Sequence, residues 1–331
     1  MKKTLFCLAV LTAALVSCQK NEMPASEEVQ GIPMTLTADL SGELGTKATV
    51  TPGASGLKTT WDATESISVV TLDGSGTYAT LVSVDTFTSN GAAGRTNAEF
   101  TGTFTGGTSP AKVIVIYPAL EEQTDGSYKT PMYNGAFGSA SILAGLQVGS
   151  DSFTNDSNDY YLNQATDDNC DHFKDYCVMT GSVDLTDIQT NKLSVKMRNL
   201  TTVIKFVIKC PDSCKGKLIE TVQIQSFQPG GAKRPLFHAG GWTPVDLDAC
   251  GLAFPGSPGY NQSVIYGSFN VPDTGNATFY MPISGMEGTN YKGDYWVIDA
   301  TIGSDIYAVT LTFPEPVTYE AGKVYTANVV L

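Results

Sequence analysis

Apolar and polar residues alternate along much of this chain, and the alternation predicts strands. Met34, Leu36, Ala38 and Leu40 interleave with Thr35, Thr37, Asp39 and Ser41, which puts four apolar side chains on one face of a half-buried strand. Ala98, Phe100, Gly102 and Phe104 share a face in the same way, with Glu99, Thr101 and Thr103 opposite. The run 113–117 is apolar on both faces and stops at Pro118, so it reads as a central strand covered on both sides. Further strands are expected over 203–208, 218–225, 264–269, 277–283, 295–302, 307–313 and 324–331. Turn residues punctuate them, as at Asp73-Gly74, Asn90-Gly91, Asp125-Gly126, Pro229-Gly230 and Asp273-Thr274-Gly275. No segment carries the apolar spacing of an amphipathic helix, so the expected fold is all-β, built from sandwiches.

The chain of 331 residues is long enough for two domains. Between Gly149 and Lys174 the alternation lapses into a polar stretch holding Asp151, Asp156, Asp159, Asp167, Asp168 and Asp171. This reads as a long surface loop closing the first domain, with the second beginning near Lys192. Clustered acids suit calcium, but EF-hand spacing is missing and a solvated loop is the simpler reading.

The amino terminus has a separate logic. Lys2 and Lys3 precede an apolar stretch from Leu5 to Val16, interrupted by Thr12, and the stretch ends at Leu15-Val16-Ser17-Cys18. That layout is a secretory signal too short to span a bilayer as a helix. The last four residues resemble a bacterial lipobox, which implies cleavage before a lipidated Cys18. Residues 19–33 are polar and acidic, with little to pack, and are expected to form a flexible tether. The expected organisation is therefore a signal peptide over 1–17, a tether over 18–33, and sandwich domains over 34–190 and 191–331.

Composition narrows the function. Acidic side chains outnumber basic ones 33 to 20, and the net charge of −13 leaves no basic surface to neutralise phosphates, which argues against nucleic acid as a partner. There are two histidines, His172 and His238, too few for a multi-histidine metal site. Cys170-Asp171-His172 with Cys177 lacks the Cys-x2-Cys pairs that hold zinc. No nucleophile can be matched to a base, so neither catalytic residues nor a metal or cofactor is expected, and the chain does not read as an enzyme. Beyond Cys18, the cysteines Cys170, Cys177, Cys210, Cys214 and Cys250 are odd in number. Short staples between Cys170 and Cys177 or between Cys210 and Cys214, and unpaired thiols, all remain open. Trp242, after Gly240-Gly241 and before Pro244, is a candidate glycan contact alongside Tyr260, Tyr266, Tyr291 and Tyr295. In a β protein this rich in tyrosine, rings that fill cores are the commoner outcome.

Several segments in order resemble fimbrillins, the lipoprotein precursors of type V pili in Bacteroidetes. They are the lipobox cysteine, the acidic tether, a strand ending in Thr46-Lys47-Ala48, TTWDATESISVV around Trp61, FTGTFT, VIVIYPA, LSVKMRNLTTVIKFVI and the closing GKVYTANVVL; the opening CQKNE separately resembles, in part, the signal that sends Bacteroidetes lipoproteins to the outer face of the outer membrane. The resemblance implies two tandem transthyretin-like β-sandwich domains and a role in assembly and adhesion. It implies an outer-membrane lipid anchor at the cell surface, other fimbrillin subunits as partners, and a host or bacterial surface receptor. It further implies that a trypsin-like protease removes the first strand, whose place a neighbour's strand then takes. Here that strand is the one bearing Met34, Leu36, Ala38 and Leu40, and the cut falls between Lys47 and Ala48, with Lys58 the next candidate. The family's usual arginine is a lysine here. Shaft subunits carry an additional C-terminal segment, whereas Tyr325, Ala327, Val329 and Leu331 look like the inner face of an ordinary last strand, which suits a tip, accessory or anchoring subunit. The rival expectation is a surface glycan-binding lipoprotein.

Overall fold

The computed structural model describes residues 31–40, 49–53, 56–73, 80–122, 128–129, 139–142, 146–149, 161–171, 179–199, 201–234, 243–246, 251–252, 262–284, 289–320 and 322–331. The fold is all-β, and 3-10 turns among the described residues include Leu185–Thr190 and Asp212–Cys214. Its framework strands are β1 (Ile32–Asp39), β2 (Thr64–Asp73), β3 (Thr80–Asn90), β4 (Asn97–Phe104), β5 (Lys112–Tyr117), β6 (Met179–Ser182) and β7 (Lys192–Lys196). They continue with β8 (Thr201–Lys209), β9 (Leu218–Phe227), β10 (Gln262–Asn270), β11 (Asn276–Ser284), β12 (Tyr295–Ile302), β13 (Asp305–Thr312) and β14 (Val324–Val330).

The pairing of β1 to β7 recurs in β8 to β14, strand for strand. In the first set β1 lies between β7, to which it runs parallel, and β4, to which it runs antiparallel. In the second set β8 lies between β14, parallel, and β11, antiparallel. The opposite wall is β3-β2-β5-β6 in the first set and β10-β9-β12-β13 in the second, antiparallel throughout. In the first set a single pair, Thr88 with Thr101, joins the walls into one eight-stranded sheet that ends with Arg198–Asn199 beside β6. In the second set the walls stay apart as a three-stranded and a five-stranded sheet. Each set closes on its own apolar cluster, as a folded-over sheet must to hide its inner face.

The first cluster gathers Trp61, Ile67, Val69, Phe87, Phe100, Val113, Val115, Tyr117 and Leu193 among others, all buried. The second gathers Phe206, Val222, Ile224, Phe279, Trp296 and Ile298. Both patterns follow from period two: β12 alternates half-buried and buried along its length, whereas β5 is buried from Val113 onward on both faces, as its unbroken apolar run requires.

The structure corrects the sequence reading in three places. The first strand starts at Ile32, within the expected tether, because Ile32 already pairs with Phe104. The Asp-rich stretch is not all surface loop: Tyr161–Gln164 is a strand running parallel to β10 at the edge of the five-stranded sheet. Lys192–Lys196, beyond the expected boundary at 190/191, is paired with β1, and Leu193 and Val195 pack in the first cluster. Of the alternatives left open for the cysteines, Cys210 and Cys214 take the unpaired one and are buried thiols.

Candidate assembly site: the first strand and its seat

The strand β1 is a central strand, and both of its edges are used. Eight residues, from Ile32 opposite Phe104 to Asp39 opposite Asn97, register against β4. On the other side Thr35 to Asp39 register against Lys192 to Lys196. Bonds at the ends extend the grip: Thr35 N–H donates to Asn191 O, Leu40 N–H to Thr96 O at 2.7 Å, and Met197 N–H to Asp39 O at 2.9 Å.

The inner face of the strand is a plug. Met34, Leu36, Ala38 and Leu40 are 4%, 0%, 0% and 1% exposed, so the alternation read from sequence is what seats the strand. Each plug residue meets a different surface. Met34 stands opposite Gly102, where a Cβ would fall 2.6 Å from the Phe87 ring, so glycine at this point lets that ring lie close. Leu36 stands opposite Phe100, and Ala38 opposite Ala98. The small residue at 38 leaves room for Trp61, whose indole Nε1–H donates to Ala38 O at 3.3 Å. Trp61 is fully buried and meets Phe100 and Tyr117 edge-on, at ring centroid distances of 5.1 and 5.2 Å. Its own backbone is pinned by Arg95 and Gly94, so the indole forms a fixed wall against β1.

Among the expected site residues, the structure brings together Met34, Leu36, Ala38 and Leu40. Cys18, Lys47, Ala48 and Trp242 lie outside the described residues, as do His172, His238, Cys177 and Cys250. Lys58 sits in Gly56–Thr60, opposite Thr51 of Thr49–Gly53 in a two-stranded hairpin. Nothing in the motifs shows that Trp61 touches the first strand; Trp61 and Ala38 are 23 positions apart and are brought together by the fold.

A second polar constellation holds the segment after Tyr161–Gln164 onto β11. The Gln164 side chain, fully buried, donates through Nε2 to Thr278 O and Thr166 O and accepts from Tyr280 N–H. Asp167 accepts from Thr278 N–H at 2.7 Å, and burial, the largest influence on it, raises its carboxyl above the usual range. Asp168 accepts from the Tyr280 hydroxyl and pairs with Lys205 at 3.1 Å. Burial first, and then the neighbouring Asp171 and Asp168, push the Cys170 thiol up to about 12. These acids are engaged in strand-to-strand bonds, and no group of three metal-ligating side chains converges among the described residues.

No protein-family model matches the chain, and no curated protein matches it. Solved structures overlay loosely. A candidate cell adhesion protein of Bacteroides ovatus gives a TM-score of 0.46 at 11% identity, covering 91% of this chain and 92% of the other. A candidate cell adhesion protein of Bacteroides uniformis gives 0.42 at 14% identity, covering 90% and 93%. A fimbrial protein of Bacteroides vulgatus gives 0.36 at 11% identity, covering 82% and 89%. Overlays of this quality carry no functional argument.

Proposed function

We propose that the chain is a fimbrillin-like surface lipoprotein, anchored in the outer membrane through Cys18, that serves adhesion as a pilus subunit or as a tip or accessory protein. It assembles by strand exchange: a cut between Lys47 and Ala48 frees β1, and a strand of another subunit takes its seat. The proposal includes two tandem sandwiches, one built on β1 to β7 and one on β8 to β14. The observation that carries it is the seat of β1. This strand is held by backbone pairing on both edges and by four alternating plug residues, yet it connects to the strands that follow only through residues 41–48. An element so seated leaves behind a groove with two open edges and an apolar floor, which is what strand addition requires.

The test is N-terminal sequencing of the protein taken from the cell surface, with trypsin trimming of the purified chain. The proposal expects a surface species beginning at Ala48 and multimers after trimming. Trimmed chains that stay monomeric and fail to bind a peptide of residues 31–41 would overturn the exchange step.

A further inference from the structure

The two strand sets differ in how they protect the far edge of the wall. In the first set, β6 is four residues long, and its outer edge is closed by Arg198–Asn199, with Met179 opposite Asn199 and Thr180 opposite Arg198. The edge of β7 is guarded by the exposed side chains of Lys192 and Lys196. Among the described residues, the counterparts of β6 and β7 in the second set have neither device. The strand β13 is eight residues long, is paired along its whole length with β12, and ends the sheet among the described residues. From Ile306 to Thr312 it contains no charge and no proline. Ile306 is 73% exposed, and Tyr307, Val309 and Leu311 pack half-buried against the second cluster. Natural sheets blunt their edges with lysine, proline, short strands or a cover, so a long regular edge that lacks all of these among the described residues is suited to pairing.

We infer that β13 is a self-association edge that takes the β13 of a second copy, antiparallel, about a two-fold axis at Val309. The occupant follows from the strand's own sequence. With the axis at Val309, residues 306 to 312 all find partners: Val309 faces its copy, and Tyr307 faces Leu311 twice, which extends the half-covered inner face across the axis. On the outer face Ala308 meets Thr310 and Ile306 meets Thr312. Moving the axis one residue toward the strand's start, to Ala308, would place Asp305 opposite Leu311. With the axis at Val309, Asp305 stays outside the paired segment, where it lies 3.5 Å from Lys217. A two-fold pairing of identical strands is an isologous contact, the kind found in C2 homodimers, and opposed apolar pairs add to the backbone bonds. The contact does not involve β1, so it forms in the uncut chain and its test is separate from that of strand exchange.

Single cysteines introduced into the full chain, oxidised on intact cells with copper phenanthroline and resolved on non-reducing gels, read the register. Val309→Cys lies opposite itself, within the Cα separation a disulfide tolerates. Thr312→Cys lies about 20 Å from its copy, six residues along a strand at about 3.4 Å each, and cannot bridge. All variants keep the native cysteines, so the difference between them reports the introduced thiol. The expected result is at least a tenfold excess of dimer for Val309→Cys, reduced to the Thr312→Cys level by adding Thr310→Lys, an exposed change that puts charge into the pairing. Equal yields from the two cysteines, bridging by Ala327→Cys on β14 in place of Val309→Cys, or monomers in sedimentation at about 100 µM would each overturn the inference.

Discussion

Truncating one plug residue tests whether β1 is held by its alternation. Leu36 is fully buried opposite Phe100, whereas its neighbour Thr37 points to the other face and is half-buried. Leu36→Ala removes three carbons from water-excluded space, worth about 0.8 kcal/mol each, and leaves a cavity that adds to the loss, for a total of about 3 kcal/mol. Thr37→Ala opens no cavity in the cluster and is expected to cost less than about 1 kcal/mol. In urea unfolding of the full chain, Leu36→Ala therefore moves the midpoint down by about 1–2 M at a slope of about 2 kcal/mol per M, and Thr37→Ala by less than half as much. The same arithmetic applies to a free strand. A peptide of residues 31–41 carrying Leu36→Ala should bind the trimmed chain on the order of 100-fold more weakly than the parent peptide, at about 1.4 kcal/mol per tenfold. If the two substitutions cost the same in both assays, the inner face of β1 is not what seats it, and the exchange argument fails with it.

Other contacts make separate predictions. Trp61→Phe keeps an aromatic ring but leaves Ala38 O without its indole donor, and should cost about 1–3 kcal/mol in the same unfolding assay. Asp294 is fully buried and takes two bonds from Arg234, at 2.8 and 3.1 Å, and one from Tyr291 N–H. Arg234→Ala strands that carboxylate and should destabilise by about 3–5 kcal/mol in thermal unfolding, with Arg234→Lys recovering only part because lysine cannot grip with two nitrogens. Burial, and after it the neighbouring Cys214 and Asp167, push the Cys210 thiol up to about 11 from an ordinary 9.0. Here the unfolded chain loses its proton first, so stability should be unaffected below about pH 9 and fall between pH 9 and 11, by at most about 1.4 kcal/mol per pH unit for this thiol. Cys210→Ser should flatten that part of the profile measured by urea unfolding.

The strands were legible because each carries its own period, and the plug of β1 was legible for the same reason. Partners were not. Nothing in residues 192–196 says that this strand closes on β1, since parallel pairing joins segments with no turn between them. The fate of Tyr161–Gln164 was hidden by composition: the aspartates that suggested a solvated loop are acceptors for Thr278 N–H and for Tyr280 and Lys205. The repeated strand plan left no trace in the motifs either, because what recurs is the order of pairing, and many alternating sequences satisfy it. Trp61 read as part of a family-like segment; its hydrogen bond to Ala38 depends on how two strands are brought together.

The repeat also bears on why the proposed exchange would involve one strand alone. The strand β8 occupies in the second set the place β1 holds in the first, and it is packed as well: Phe206 and Leu36 are both fully buried. Weak packing therefore does not single out β1. What differs is the chain path, since β8 is continuous with β7 before it and β9 after it, whereas β1 reaches the later strands only through residues 41–48. While that link is intact, its short length keeps β1 at an effective concentration in the millimolar range. A donor strand of equal intrinsic affinity present at micromolar concentration is then outcompeted by about a thousandfold, some 4 kcal/mol. The proposed cut at Lys47 removes that advantage without altering a single contact in the groove. Proteolysis would thus time assembly through connectivity, and a donor need only match the plug of β1, not surpass it.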